Sequence, residues 1–294
     1  MEYFLHLLVS GLLSGPVYAL VGVAFVVLYR ASSVLNFSLG AWVNLGAKLT
    51  GIGTSTLGLP LLLAIPGALA ALSGLAILFN KLVVERLSNR PVTSLVMATL
   101  ALGVLMRAGS AWTLTGLPSE IPVPFENALL WWGDIPLPPS RLLASTAAIA
   151  IIAGLWTFFQ FSRAGIAMRA IADDIAAAAT VGIPSIYYLS LAWALSAAAA
   201  VAGGVLWSID GLGGFSMTLV LAKVLPVVVI GGLTSFAGTM VAAMIIGVSE
   251  NMAAGYLDPV IGTGSGALVA AVLIFVTLAI RPNGLFGTPS VQRI

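Results

Sequence analysis

Four charged residues stand inside long apolar sequence, where charge is costly: Lys48, Arg107, Lys223 and Glu250. A charge carried to the bilayer centre costs about 3 kcal/mol on insertion scales. Such residues either snorkel from the ends of spans, the reading that fits Lys48 and Arg107, or they serve a polar path. Glu250 is the stronger candidate for function, with Asp210 the other carboxylate that could couple an ion to transport. The amides of Asn36 and Asn44 lie in apolar sequence too, and a buried amide needs partners. Other chemistry lacks its residues. The chain has no Cys and a single His, His6, which removes disulfides, thiol catalysis and multi-histidine metal sites. It has no Gly-Lys dipeptide for a phosphate-binding loop and no Gly-x-Ser-x-Gly elbow. No catalytic residue, metal or cofactor is expected, and transport is the class that remains.

The elements that must position these residues follow from composition. The 294 residues are 60% hydrophobic and only 7% charged, with a mean hydropathy of +1.11, against about 25% charged in soluble domains. Lipid is therefore the solvent for most of the chain. The net charge of +2 gives no reason to expect nucleic acid. Because about 20 apolar residues cross the hydrocarbon core, the uncharged runs predict seven ordinary spans near 5–29, 57–80, 91–112, 142–162, 186–208, 225–249 and 260–280. Two shorter pieces, 34–47 and 214–224, are too short for straight spanning helices. If both cross, the chain makes nine passes with its N-terminus outside and its C-terminus inside. That places nine basic residues inside and Lys48, Arg107 and Arg141 outside; if neither crosses, five lie inside and seven outside. The excess of positive charge on cytoplasmic loops favours nine passes. The expected fold is an all-α polytopic membrane protein containing two short or broken helices.

The order of long span, break, short piece, long span, next span occurs twice, over about 5–112 and 186–280. With nine passes the copies start on opposite sides, which makes an inverted repeat. The short pieces match in part: Asn36-Phe37-Ser38 against Gly214-Phe215-Ser216. Interrupted helices leave backbone groups that lipid cannot satisfy, so they must line protein or a polar cavity. The expected translocation pathway is thus Asn36, Phe37, Ser38, Gly40, Asn44, Gly214, Phe215, Ser216 and Glu250. For glycines such as Gly11, Gly15, Gly40 and Gly46, close helix packing is the competing reading.

Two polar stretches remain. Residues 113–140 hold six prolines and the adjacent Trp131 and Trp132, and read as an external loop on the lipid interface. Residues 163–185 carry Met168, Ile171, Ile175 and Ala178 or Ala179 at helical spacing and end in Gly182 and Pro184. That pattern predicts one short cytoplasmic helix whose apolar stripe docks into a partner's groove, or else lies on its own membrane domain.

Specific residues then say more than periodicity. Gly15-Pro16-Val17-Tyr18-Ala19-Leu20, the run Tyr29 to Gly40 containing Asn36-Phe37-Ser38, and Gly46-Ala47 resemble the N-terminal signature of permeases of the branched-chain amino acid ATP-binding cassette family. Arg281-Pro282-Asn283-Gly284-Leu285-Phe286-Gly287 resembles its closing signature, and Gly231-Gly232-Leu233, Gly238 and Glu250 fall where the family has similar residues. Size and N-terminus look more like the smaller of the two paired permeases. The family commonly has Ala-Gln or Ala-His where this chain has Ser38-Leu39, and Tyr where Lys48 stands.

The resemblance implies an importer subunit in the cytoplasmic membrane of a prokaryote, moving a small amino acid, most naturally a branched-chain one. Its implied partners are a second related permease, two ATP-binding subunits and an extracytoplasmic solute-binding protein. It also implies that Arg169, Ile171, Asp173, Asp174, Ile175 and Gly182 couple the chain to the ATPase. The competing reading is a self-contained secondary transporter or channel for a small solute such as urea or an amide.

Overall fold

The structure is a computed structural model, and it describes residues 2–87, 90–118, 121–122, 129–132, 135–211 and 220–287. Helix α1 (Glu2–Ser32) leads through an extended segment at 33–38 into α2 (Leu39–Ser55). Then come α3 (Leu61–Leu87), with a π-helical turn at Asn80–Val84, and α4 (Val92–Thr113). A small antiparallel hairpin, β1 (Leu130–Trp132) with β2 (Ile135–Leu137), pairs Leu130 with Leu137 and precedes α5 (Pro139–Phe161). The remaining helices are α6 (Arg163–Asp173), α7 (Ile175–Thr180), α8 (Ser185–Ile209), α9 (Val220–Gly231), α10 (Phe236–Tyr256), α11 (Asp258–Ile261) and α12 (Ser265–Ile280). The architecture is all-α and polytopic: among the described residues six helices are long and apolar enough to cross a membrane, with α2, α9 and α12 shorter.

Two departures from the sequence expectation have clear causes. The apolar run 225–249 is not one span. Gly232 takes a left-handed backbone (φ +96°) and the Ser235 hydroxyl caps the next helix by accepting from the Gly238 amide at 3.0 Å. The chain therefore turns between α9 and α10, a break invisible to a reading punctuated by charge. Likewise 168–181 is two helices rather than one. The Asp174 carboxylate accepts from the amides of both Ala176 and Ala177 at 2.9 Å, an N-cap that starts α7 afresh.

The core is built on α1. From Val17 to Leu28 its side chains are almost fully buried, as expected of a helix apolar on every face that other helices surround. It packs against α8, α10, α5 and α9. By contrast α4 and α12 expose Leu105, Trp112, Phe275 and Ile280, the surface a lipid-facing helix presents.

Helix directions settle the role of α2. Ser14 meets Asp210, Tyr18 meets Trp207, Val21 meets Gly203, and the Ser196 hydroxyl donates to Ala24 O at 2.6 Å, so α1 and α8 run antiparallel. Between them lie α2, α3, α4, α5 and the short α6 and α7. With four passes intervening α8 opposes α1; with α2 omitted they would be parallel. So α2 carries the chain across. The two copies also exchange partners in the same way. Here α1 packs antiparallel on α10, Gly11 facing Gly247 and Gly22 facing Thr239, while α8 packs antiparallel on α3, Asn80 donating to Ser190 Oγ at 2.9 Å.

Candidate translocation site

The interrupted stretch between α1 and α2 satisfies its backbone internally, as buried non-helical backbone at membrane depth must. Ser33 adopts a left-handed conformation (φ +54°), turning the chain off α1. The Ser32 hydroxyl accepts from Val34 N at 3.2 Å, and Thr99 Oγ1 on α4 accepts from Phe37 N at 3.3 Å. Asn36 Oδ1 accepts from both the amide (3.0 Å) and the hydroxyl (2.5 Å) of Ser38, whose oxygen in turn accepts from Trp42 Nε1 at 2.9 Å. Asn36 and Ser38 are thereby buried, at 2% and 1% exposure. The next residues face open space. Phe37, Gly40 and Asn44, at helical spacing on one side, line a cleft of about 30 Å³ with Ala41, Gly103 and Arg107 of α4 and Leu221 of α9.

Glu250 lies elsewhere, in a buried polar cluster centred on α1. Lys223 Nζ approaches Glu250 Oε2 at 3.0 Å, and the Tyr18 hydroxyl donates to the same oxygen at 3.1 Å. Tyr18 stacks on Trp207 with ring centroids 4.9 Å apart. One turn earlier on α1, Ser14 Oγ donates to Asp210 Oδ2 at 3.1 Å, while Arg141 Nε stands 2.9 Å from Asp210 Oδ1. The cluster joins α1, α5, α8, α9 and α10. Gly214, Phe215 and Ser216 lie outside the described residues.

Lys48, Arg107 and Lys223, counted above as loop or span-end charges, stand inside α2, α4 and α9. Lys223 therefore leaves the inner loops and the other two leave the outer ones. Sequence reasoning also left Ser14, Tyr18 and Arg141 unassigned. Ser14 and Tyr18 stand four residues apart on α1, as Trp207 and Asp210 stand three apart, the helical spacing of residues sharing a face; nothing in one sequence says which faces meet.

At the cytoplasm-type end, the side expected inside, Met168, Ile171 and Ala178 pack inward, while Ile175 and Val181 are 52% and 75% exposed. The Arg169 guanidinium donates to Gln160 Oε1 at 3.0 Å. Asp173, Asp174 and Ile175 border a groove of about 240 Å³ against Ala31 and Ser32 at the end of α1. Gly182 makes the turn after α7 with φ +81°. The closing segment 281–287 tucks beneath the α9–α10 turn, Leu285 N donating to Ile230 O at 2.7 Å.

Long apolar helices, with interrupted backbone leading into α2, gathered around a buried polar interior, define a membrane transport permease. The chain belongs to the family of branched-chain amino acid transport system permease components, whose model matches residues 7–280. It is 26% identical to the high-affinity branched-chain amino acid transport system permease protein BraD of Pseudomonas aeruginosa over 99% of this chain and 98% of that one. The LivH permease of Escherichia coli K12 gives the same identity and coverage, and the probable LivH permease of Methanocaldococcus jannaschii is 28% identical over 88% of this chain and 85% of its own. Among solved structures, PsaBC from Streptococcus pneumoniae in complex with Fab shares the fold, with a TM-score of 0.50 at 18% identity over 96% of this chain and 94% of that one.

Proposed function

We propose that the chain is the membrane-spanning subunit of an ATP-driven importer for branched-chain amino acids, with its N-terminus outside and its C-terminus inside. It forms half of the pathway beside a second related permease, receives solute from an extracytoplasmic binding protein, and is driven by two ATP-binding subunits. Family membership across 7–280 carries this reading, and the missing nucleotide motif assigns ATP hydrolysis to other chains. Alternating access would rock the two repeat copies about the buried α1–α8 contact. A self-contained ion-coupled carrier is less favoured, because the two buried carboxylates, Asp210 and Glu250, are already paired with Arg141 and Lys223.

The ATPase would dock on the exposed side of α6 and α7. Since Met168 and Ile171 are buried, the docking residues are Ile175 and Val181. Ile175→Asp should leave the chain folded and abolish copurification of the ATP-binding subunit, because it places an unpaired charge in an apolar interface. Undiminished copurification would remove the docking role. Reconstitution supplies the wider test: ATP hydrolysis and uptake stimulated by loaded binding protein. Topology has its own measurement in this cysteine-free chain. A cysteine at Ser55 should label from outside and one at Thr180 from inside; labelling of both from one side would refute the proposed orientation.

A further inference from the structure

Arg107 stands six residues before the C-terminal end of α4, close enough for a long side chain to reach the surface if it leaned that way. It leans the other way. Its Nε donates to Gly103 O at 3.4 Å, one turn toward the helix N-terminus, the direction in which helical side chains tilt. Arg107 thus lines the cleft of Phe37, Gly40, Ala41, Asn44 and Leu221 from the α4 side while its side chain stays exposed. The two ion pairs among the described residues use Arg141 and Lys223, so no described carboxylate neutralises Arg107. Lys48, one turn beyond Asn44 on the same face of α2, reaches Ser110 O at 3.5 Å, three residues after Arg107 on α4.

The geometry points to Arg107 as the group that receives the carboxylate of the transported solute, in a cleft shared by α2, α4 and α9. This rests on the reading of the chain as an amino acid permease. A guanidinium fork matches a carboxylate bidentately. Phe37 and Leu221 offer apolar surface to a branched aliphatic side chain lying at the mouth, because Gly40 and Gly103 pack close against Leu221 and Ser38 and the enclosed space of about 30 Å³ admits only the carboxylate. The ligand class is a small organic carboxylate bearing an apolar side chain, and the acid is read by this chain rather than by its partner permease.

The assembled transporter tests this, with Asn44→Cys as a reporter in an otherwise cysteine-free chain and cysteine-free partners. Leucine should slow its reaction with a thiol reagent, and 3-methylbutylamine, which is leucine without its carboxylate, should not. Adding Arg107→Gln should raise the half-protecting leucine concentration at least about tenfold, as expected for loss of a charge-assisted hydrogen bond. Equal protection by both compounds, protection by neither, or an unchanged leucine concentration in the Arg107→Gln protein would overturn the assignment. If Arg107→Gln does not assemble, Arg107→Lys is read instead. It keeps the charge but not the fork, so a shift of several-fold is expected and no shift is refuting. ATP-dependent leucine uptake by the unaltered complex is measured in parallel, and its absence would count against the proposed function rather than against the cleft.

Discussion

Replacing Arg141 with Leu should destabilise the chain by about 3 kcal/mol, the lower end of the cost of stripping one partner from a buried ion pair. The Asp210 side chain is fully buried and that of Arg141 is 25% exposed, so the carboxylate would be left with the Ser14 hydroxyl alone. The lower end applies because the guanidinium keeps some contact with its surroundings outside the protein. Asp210 ties the end of α8 to α1 and to the start of α5, so the loss should spread across the helix contacts that set the α1–α8 crossing. The double variant Arg141→Leu/Asp210→Asn removes the orphaned charge and should regain most of the loss, since a pair replaced as a unit is often neutral. Thermal unfolding in detergent, with the yield of monodisperse protein, measures both. Equal destabilisation of the single and double variants would mean that the ion pair is not the source of the effect. The Lys223–Glu250 pair should be more forgiving, because Lys223 is 32% exposed and a glutamine at Glu250 could still accept from Tyr18.

The positions of most helices were legible because charge and proline interrupt apolar runs: α1, α3, α4, α5, α8 and α12 fall close to the uncharged stretches. The turn at Gly232 was not legible, since it lies in uninterrupted apolar sequence and declares itself only through Gly231-Gly232 and the Ser235 cap. The break at Asp174 was carried by a residue read as a charge instead of a cap. Within the candidate site, the order of the repeat pointed to 34–47, and the structure divides that stretch by role. Asn36 and Ser38 hold the turn from behind, while Phe37, Gly40 and Asn44 face the cleft. That division depends on which face of α2 meets α4 and α9. Pairings such as Tyr18 with Glu250, 232 residues apart, likewise follow from helix packing, which one sequence does not encode in any local pattern. Arg107 shows the same limit. Its distance from the helix end suits snorkelling, and only the structure shows its Nε turned back toward Gly103 O.

A methyl group at Gly204 should do far more damage than one at Gly22, although the two glycines hold near-equivalent places in the two copies of the repeat. At Gly204 the added carbon would overlap the carbonyl oxygen of Val43, with Val43 C 3.0 Å and Cα 3.3 Å away. All three atoms are backbone of α2, so relief requires α2 to move bodily away from α8. At Gly22 the neighbours are Thr239 Cγ2 at 2.7 Å, Val227 Cγ1 at 3.3 Å and Val228 Cγ2 at 3.4 Å, all side-chain ends that can rotate or settle. Overpacking costs about 1–3 kcal/mol and occasionally more. Gly204→Ala is expected at or above the top of that range and Gly22→Ala near or below its foot, read as unfolding midpoints in detergent. Because α2 also carries Gly40 and Asn44 into the cleft, with Phe37 just before its N-terminal end, displacing it should disturb solute binding as well as stability. Molecules of Gly204→Ala that do fold should therefore show weaker leucine protection in the Asn44→Cys assay, whereas Gly22→Ala should leave protection intact. Equal unfolding midpoints, or weaker protection in Gly22→Ala than in Gly204→Ala, would show that the α2–α8 crossing does not set the geometry of the cleft.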